Sequence, residues 1–172
     1  MSETGVSEDR RLRLPAHRVA PRAIRWWTVR SALTGALVLV PQLVAAAGLS
    51  AAGRDPSVLL ATSAVTLVVG LAHLLVVPRW RFRVHRWEAT TDAVHTLTGW
   101  VRREWRIAPV ARIQTVDTHQ GPLQRAFGLS SVTVTTASSH GSLHLDGLDA
   151  RAARALAHDL TAAAEAAGGD AT

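Results

Sequence analysis

Two apolar runs dominate the pattern along the chain. Ser31 to Gly53 is 23 residues without a charge, and Pro56 to Pro78 is another 23. At about 1.5 Å of rise per residue, either run as a helix can cross a hydrocarbon core of about 30 Å. Between them Gly48, Ser50, Gly53, Arg54, Asp55, Pro56 and Ser57 supply turn chemistry. The pattern predicts a transmembrane helical hairpin over 29–78, with spans at about 31–53 and 57–78.

After Pro78 the texture changes. Arg79 to His85 alternates basic and apolar residues, which predicts a strand with Trp80, Phe82 and Val84 on one side. Ala93 to Thr98 reads as a second strand. Trp100 to Ile107 reads as a third, with Val101, Trp105 and Ile107 on one face and Arg102, Glu104 and Arg106 on the other. Pro109 ends it. Arg112 to Thr118, Ser131 to Ala137 and Ser142 to Leu145 read as further strands. Gly121-Pro122 opens a short helical turn through Phe127, which Gly128 can stop in the left-handed conformation. Asp149 suits a helix N-cap, and Ala153, Leu156, Leu160 and Ala164 recur as an apolar stripe. The expected fold class is therefore α+β: a transmembrane hairpin, then an antiparallel β barrel or sheet closed by a C-terminal capping helix. In this division 1–28 is a basic cytoplasmic tail, 79–167 the cytoplasmic domain and 168–172 a disordered tail.

Charge gives the hairpin an orientation. All 19 basic residues are arginine, against 13 acids, for a net charge of +6. Seven arginines and no acid fall between Arg10 and Arg30, and Arg79, Arg81, Arg83 and Arg86 follow the second run. The connecting loop carries Arg54 balanced by Asp55. The positive-inside rule then places both termini in the cytoplasm. The leader Met1 to Asp9 is acidic and reads as disordered. His17, between Pro15 and Pro21, marks an irregular segment lying along the headgroups. Arg22, Arg25, Arg30, Arg79, Arg81, Arg83 and Arg86 are expected to face lipid, each contributing about 1 kcal/mol near an anionic surface. Arg102, Arg103 and Arg106 join them if the strands fold back alongside. Trp26, Trp27 and Trp80 are expected as interface anchors.

Two polar residues lie inside the spans, Gln42 near the midplane and His73 near one face. Their depths differ, so they do not form a pair. Gln42 is expected to bond the partner helix beside Pro41, and His73 to reach interfacial water. The alternative is that both line a shared pathway in a transport or export assembly.

Reaction chemistry finds little support. With no cysteine, disulfides, thiol catalysis and cysteine-based metal sites are excluded; with no lysine, so is a Schiff base. His140 and His144, with Asp146, resemble a metal motif, but four residues along a strand span about 13 Å, too far for one zinc. Ser138-Ser139-His140 has no nucleophile elbow. Phosphate-loop and dinucleotide patterns are missing, and Glu88, Asp92, Glu104, Asp117 and Asp146 are scattered. No enzyme activity, cofactor or metal is expected. Nucleic acid is not expected either, because the arginines crowd the ends of the hairpin rather than an aromatic-lined face.

Three motifs carry a resemblance. They are Arg112-Ile113-Gln114-x-Val116, then Gly121-x-Leu123-x-Arg125-x-Phe127-Gly128, then Val132-x-Val134-x-Thr136-Ala137. With two membrane helices directly ahead of them, they make roughly Arg22 to Ala163 similar to the bacterial pleckstrin-homology-like (PH-like) domain family of YdbS type. The resemblance implies a PH-like barrel on the bacterial inner membrane and no catalytic activity. It implies a binding or scaffold role, with membrane lipids and a larger PH-like membrane protein as partners. Leu123 and Phe127 put one apolar face of their turn onto the barrel. Arg112 and Gln114 either hydrogen-bond that turn or form a partner patch with Arg125.

Overall fold

The computed structural model describes residues 14–99, 102–137 and 141–169. The acidic leader, Arg10, Arg11, Arg13, the Trp100-Val101 pair, Ser138-Ser139-His140 and residues 170–172 lie outside the described residues. Helix α1 is Arg22–Ala51 and α2 is Ser57–Val84, packed side by side. Both are long and apolar enough to cross a membrane. Asp55 starts α2 by accepting from the Ser57 backbone N–H at 2.9 Å. Pro41 lies within α1, whose helical run continues through it.

Both helices outrun their apolar stretches. The segment Arg79 to Val84, expected as a strand, is the last part of α2. Alternation of arginine with Trp80, Phe82 and Val84 imitates a period of two, but burial follows the helical period: Val77, Arg81 and Val84 share the face turned to the domain, followed by His85. Proline inside a helix removes one backbone bond. Pro78 is nevertheless fully buried, and the packing beyond it keeps the helix going.

The segment before α1 also differs from expectation. His17–Arg18 is a short strand, β1, paired antiparallel with β2, Arg86–Ala89. The His17 ring lies 5.0 Å from Trp87, and the Ala20 N–H donates to the Gly147 carbonyl at 2.9 Å. This stretch of the basic tail is thus part of the domain.

Strands β3, Ala93–Gly99, and β4, Arg103–Pro109, complete a four-stranded sheet ordered β1-β2-β3-β4. A 3-10 turn at Val110–Arg112 leads to β5, Ile113–His119. The short helix α3, Pro122–Ala126, precedes β6, Leu129–Thr136, and β7, Leu143–Asp149, and these strands form a second sheet ordered β5-β6-β7. Helix α4, Ala150–Gly169, closes the domain. Asp149 caps it, accepting from the Arg151 N–H at 2.9 Å. Its stripe, Ala153, Leu156 and Leu160, meets Val132, Val134, Leu143, Leu145 and Leu148 in the main core.

Strand β4 alternates as read, with Trp105 and Ile107 on one face and Glu104 and Arg106 on the other. Register pairs Thr96 with Arg106 and Val94 with Ala108, and Val94 and Ala108 pack into the core. Arg103, Trp105 and Ile107 therefore share the outer face, with Trp105 44% and Ile107 47% exposed. A small buried alanine, not the large apolar pair, marks the inner face.

Candidate functional site

The helices and the domain meet in a second apolar cluster. Val19, Ala23, Trp26, Trp27 and Leu129 are buried together, with Phe82, Leu123 and Phe127 packed against them. Trp26 is only 5% exposed and Trp27 2%, so these two indoles anchor the helix to the domain rather than to an interface; Trp80 remains 47% exposed. A buried indole removes about 150–250 Å² from water, an upper figure of about 4–6 kcal/mol at ~25 cal/mol per Å². Two of them fix the domain against the hairpin.

Two glycines make that approach possible. Gly147 sits at φ +78°, and an added Cβ would meet the Ala23 Cβ at 2.8 Å. Gly128, at φ +64°, ends the α3 turn, and a Cβ there would lie 2.9 Å from the Arg22 guanidinium. Arg22 is ion-paired with Asp149, whose carboxyl is held below its ordinary range first by the Arg151 N–H, with Arg22 contributing. The turn that carries the family motif is therefore a clamp on the helix stem. Gln120 and Gln124 hold it: Gln120 donates to the Leu129 carbonyl at 2.8 Å, and Gln124 accepts from the Gly121 N–H at 2.9 Å and donates to Ser131 at 2.7 Å. Arg112 and Gln114, expected either to hold the turn or to form a patch with Arg125, are exposed, as is Arg125, and Ile113 packs against the main core. Gln120 precedes the motif and Gln124 occupies one of its unspecified positions, which is why the pattern alone passed them over.

A polar group lines the junction. The Arg81 guanidinium stacks 4.9 Å from the Trp27 ring, and Arg30 lies 5.9 Å from Trp26. His85 is buried, 5.3 Å from Trp27, with Nδ1 2.8 Å from the Arg81 carbonyl. Burial, and then the Arg81 charge, push the His85 pKa down, against the pull of that carbonyl and of Asp146.

The remaining arginines divide. Arg83, Arg86 and Arg103 line one cavity of about 330 Å³ with Leu14, Trp80, Val84 and Leu97. Strand β4 thus brings Arg103 beside the end of α2, whereas Arg106 turns away to Glu104 and to the Ser142 carbonyl at 2.9 Å. Arg79 bonds the Leu75 carbonyl in its own helix at 2.7 Å, and Arg25 is exposed. Within the hairpin, Thr66 donates to Gln42 at 3.2 Å across the helices. His144 is 3.2 Å from Thr133, and no group of three metal-ligating side chains occurs among the described residues.

Comparison with known proteins gives matches that span both hairpin and domain. The chain is similar to "UPF0699 transmembrane protein YdbS" of Bacillus subtilis (strain 168), 27% identical over 130 residues, which is 75% of this chain and 81% of that relative. No solved structure matches it significantly. The profile described as "Bacterial PH domain" matches residues 36–164, from inside α1 to inside α4. That match runs from the hairpin through both sheets into the closing helix, over most of the chain, and the chain belongs to the bacterial PH domain family.

Proposed function

We propose that the protein is a membrane-anchored, non-enzymatic binding module whose PH-like domain docks onto the anionic cytoplasmic leaflet and there meets a partner membrane protein. Both termini are on the cytoplasmic side in this reading, as the arginine distribution favours. The observation that carries it is the outer face of the four-stranded sheet. Arg86, Leu97, Arg103, Trp105 and Ile107 share that face by register, and Trp80, Arg83 and Leu14 adjoin it beside the end of α2. Exposed indoles interleaved with unburied guanidiniums, one turn from the apolar helix, suit a headgroup layer. Because the Trp26–Trp27 cluster fixes the domain to the helices, the orientation of this face follows that of the hairpin.

The test uses the full chain in nanodiscs of phosphatidylglycerol or phosphatidylcholine. Indole quenching by brominated lipid reports contact. Quenching should be stronger in phosphatidylglycerol and fall when Trp105 and Arg103 are replaced by Ser and Gln. Equal quenching in both lipids and in the variant would refute leaflet docking. Co-purification from the native membrane tests the partner: a stoichiometric PH-like membrane protein supports it, and recovery of the chain alone argues against it.

A further inference from the structure

A second surface lies below the domain, between the two helices. Arg30, Ser31, Thr34, Gly35 and Val38 on α1 and Val65, Thr66, Val69, Gly70 and His73 on α2 wall an open groove of about 760 Å³, with Trp27, Arg81 and Asp146 at its domain-side mouth. Gly35, Val38, Val65, Val69 and Gly70 form an apolar strip along it beside Ser31, Thr34, Thr66 and His73, and an added Cβ at Gly35 or Gly70 would meet nothing within 4 Å. Its mouth is cationic. Arg30 and Arg81 stack on adjacent indoles and repel one another, and neither has a carboxylate within ion-pairing distance among the described residues. Asp146, also on the rim, offsets one of the two charges and leaves the other. The groove starts where the uncharged run starts, between Arg30 and Ser31. It therefore crosses the level at which hydrocarbon gives way to headgroups.

We infer that this groove seats a single anionic phospholipid, its phosphate between Arg30 and Arg81 and an acyl chain along Gly35, Val38, Val69 and Gly70. Charge complementarity selects this occupant. A third helix would cover the apolar strip but would leave two like charges facing at the mouth, whereas a phospholipid is anionic at that level and apolar below it. The guanidiniums, held by their indoles, are pre-arranged for an oxyanion. The inference rests on the hairpin being in a bilayer, as the proposed function does, but not on docking of the sheet face.

Native mass spectrometry of the full chain, extracted from mixed phosphatidylglycerol and phosphatidylcholine bilayers, tests it. One phosphatidylglycerol should stay bound in preference to phosphatidylcholine. The preference should fall about five-fold for each of Arg30→Gln and Arg81→Gln, and rise with Asp146→Asn. Arg81→Gln also disturbs the Trp27 stack, so a second variant leaves the mouth intact. Gly35→Leu with Gly70→Leu covers the strip and should abolish retention while partner recovery and Trp105 quenching stay unchanged. Equal retention of the two lipids, or retention unaffected by the leucine pair, overturns the site. So does a lipid-free dimer that the leucine pair dissociates, because it gives the groove to a second copy. Loss of quenching at Trp105 with lipid retention intact defeats the sheet-face reading alone.

Discussion

The contact between Gly147 and Ala23 offers a clean perturbation, because its two costs can be separated. Gly147→Ala forces an L side chain into φ +78°, at about 1–2 kcal/mol, and drives a methyl to 2.8 Å from the Ala23 Cβ. Overpacking of that kind typically costs about 1–3 kcal/mol. The sum is roughly 2–5 kcal/mol. Gly141→Ala is the control: its φ is +73°, but its Cβ meets nothing within 4 Å, so only the first cost applies. The difference between the two variants, about 1–3 kcal/mol, measures how tightly β7 is pressed on the helix stem. Ala23→Gly costs about 1 kcal/mol alone as a helix glycine. Combined with Gly147→Ala it removes the clashing methyl, so the double variant should be more stable than the sum of the singles predicts, by about 1–3 kcal/mol. Denaturant unfolding in detergent micelles, followed by the fluorescence of the buried Trp26 and Trp27, reads all four proteins. If Gly147→Ala were no worse than Gly141→Ala, or simply additive with Ala23→Gly, the stem would not be clamped as described.

Two further outcomes follow from the junction and the hairpin. The His85 pKa is depressed by burial and by Arg81, so the unfolded chain takes up a proton that the folded one refuses; stability is complete above an unfolded value of about 6.5 and declines as pH falls below it, by at most about 1.4 kcal/mol per pH unit. His85→Gln should flatten the slope of the denaturation midpoint between pH 6.5 and 5, and parallel slopes would contradict the assignment. The Thr66–Gln42 bond spans the helices, and such bonds in lipid are worth about 0.6 kcal/mol; Gln42→Leu should weaken hairpin unfolding resistance by that order, and a much larger loss, or loss of partner recovery, would revive a role for Gln42 in a shared pathway.

The sequence exposed the architecture where a period or a special residue had one reading. Two uncharged runs gave the hairpin, Gly128 the end of the turn, and Asp149 with its apolar stripe the closing helix. It misled where one pattern served two structures. Arg79 to Val84 alternates as a strand does, yet it is helix, because its packing partners lie in another part of the chain. Trp26 and Trp27 have the spacing of interface residues from the apolar run, and only tertiary contact with Leu129 and Gly147 takes them inside. Strand β4 shows the same limit. Its alternation groups Trp105 with Ile107 but leaves open which face is inner, and the register set by β3 puts Ala108 there.

These cases bear on what family membership can say about function. The motif residues Leu123, Phe127 and Gly128 contact the helix stem, and Gly147, outside every motif, completes the contact. These motif positions therefore encode how the domain is attached. Val132, Val134 and Thr136 encode the core beneath it, being buried on β6. Thr136, with Arg112, borders Trp105 and Ile107 in a cavity at the β4 edge, but neither set reaches Arg103 or the groove between the helices. A domain can keep the attachment, and hence its orientation to the membrane, while Arg103, Trp105 and Ile107 or Arg30 and Arg81 vary freely. If the proposed lipid contacts hold, specificity lies at positions the motif does not include, and a relative that shares the clamp but not these arginines should retain the attachment and lose the proposed anionic-lipid preference.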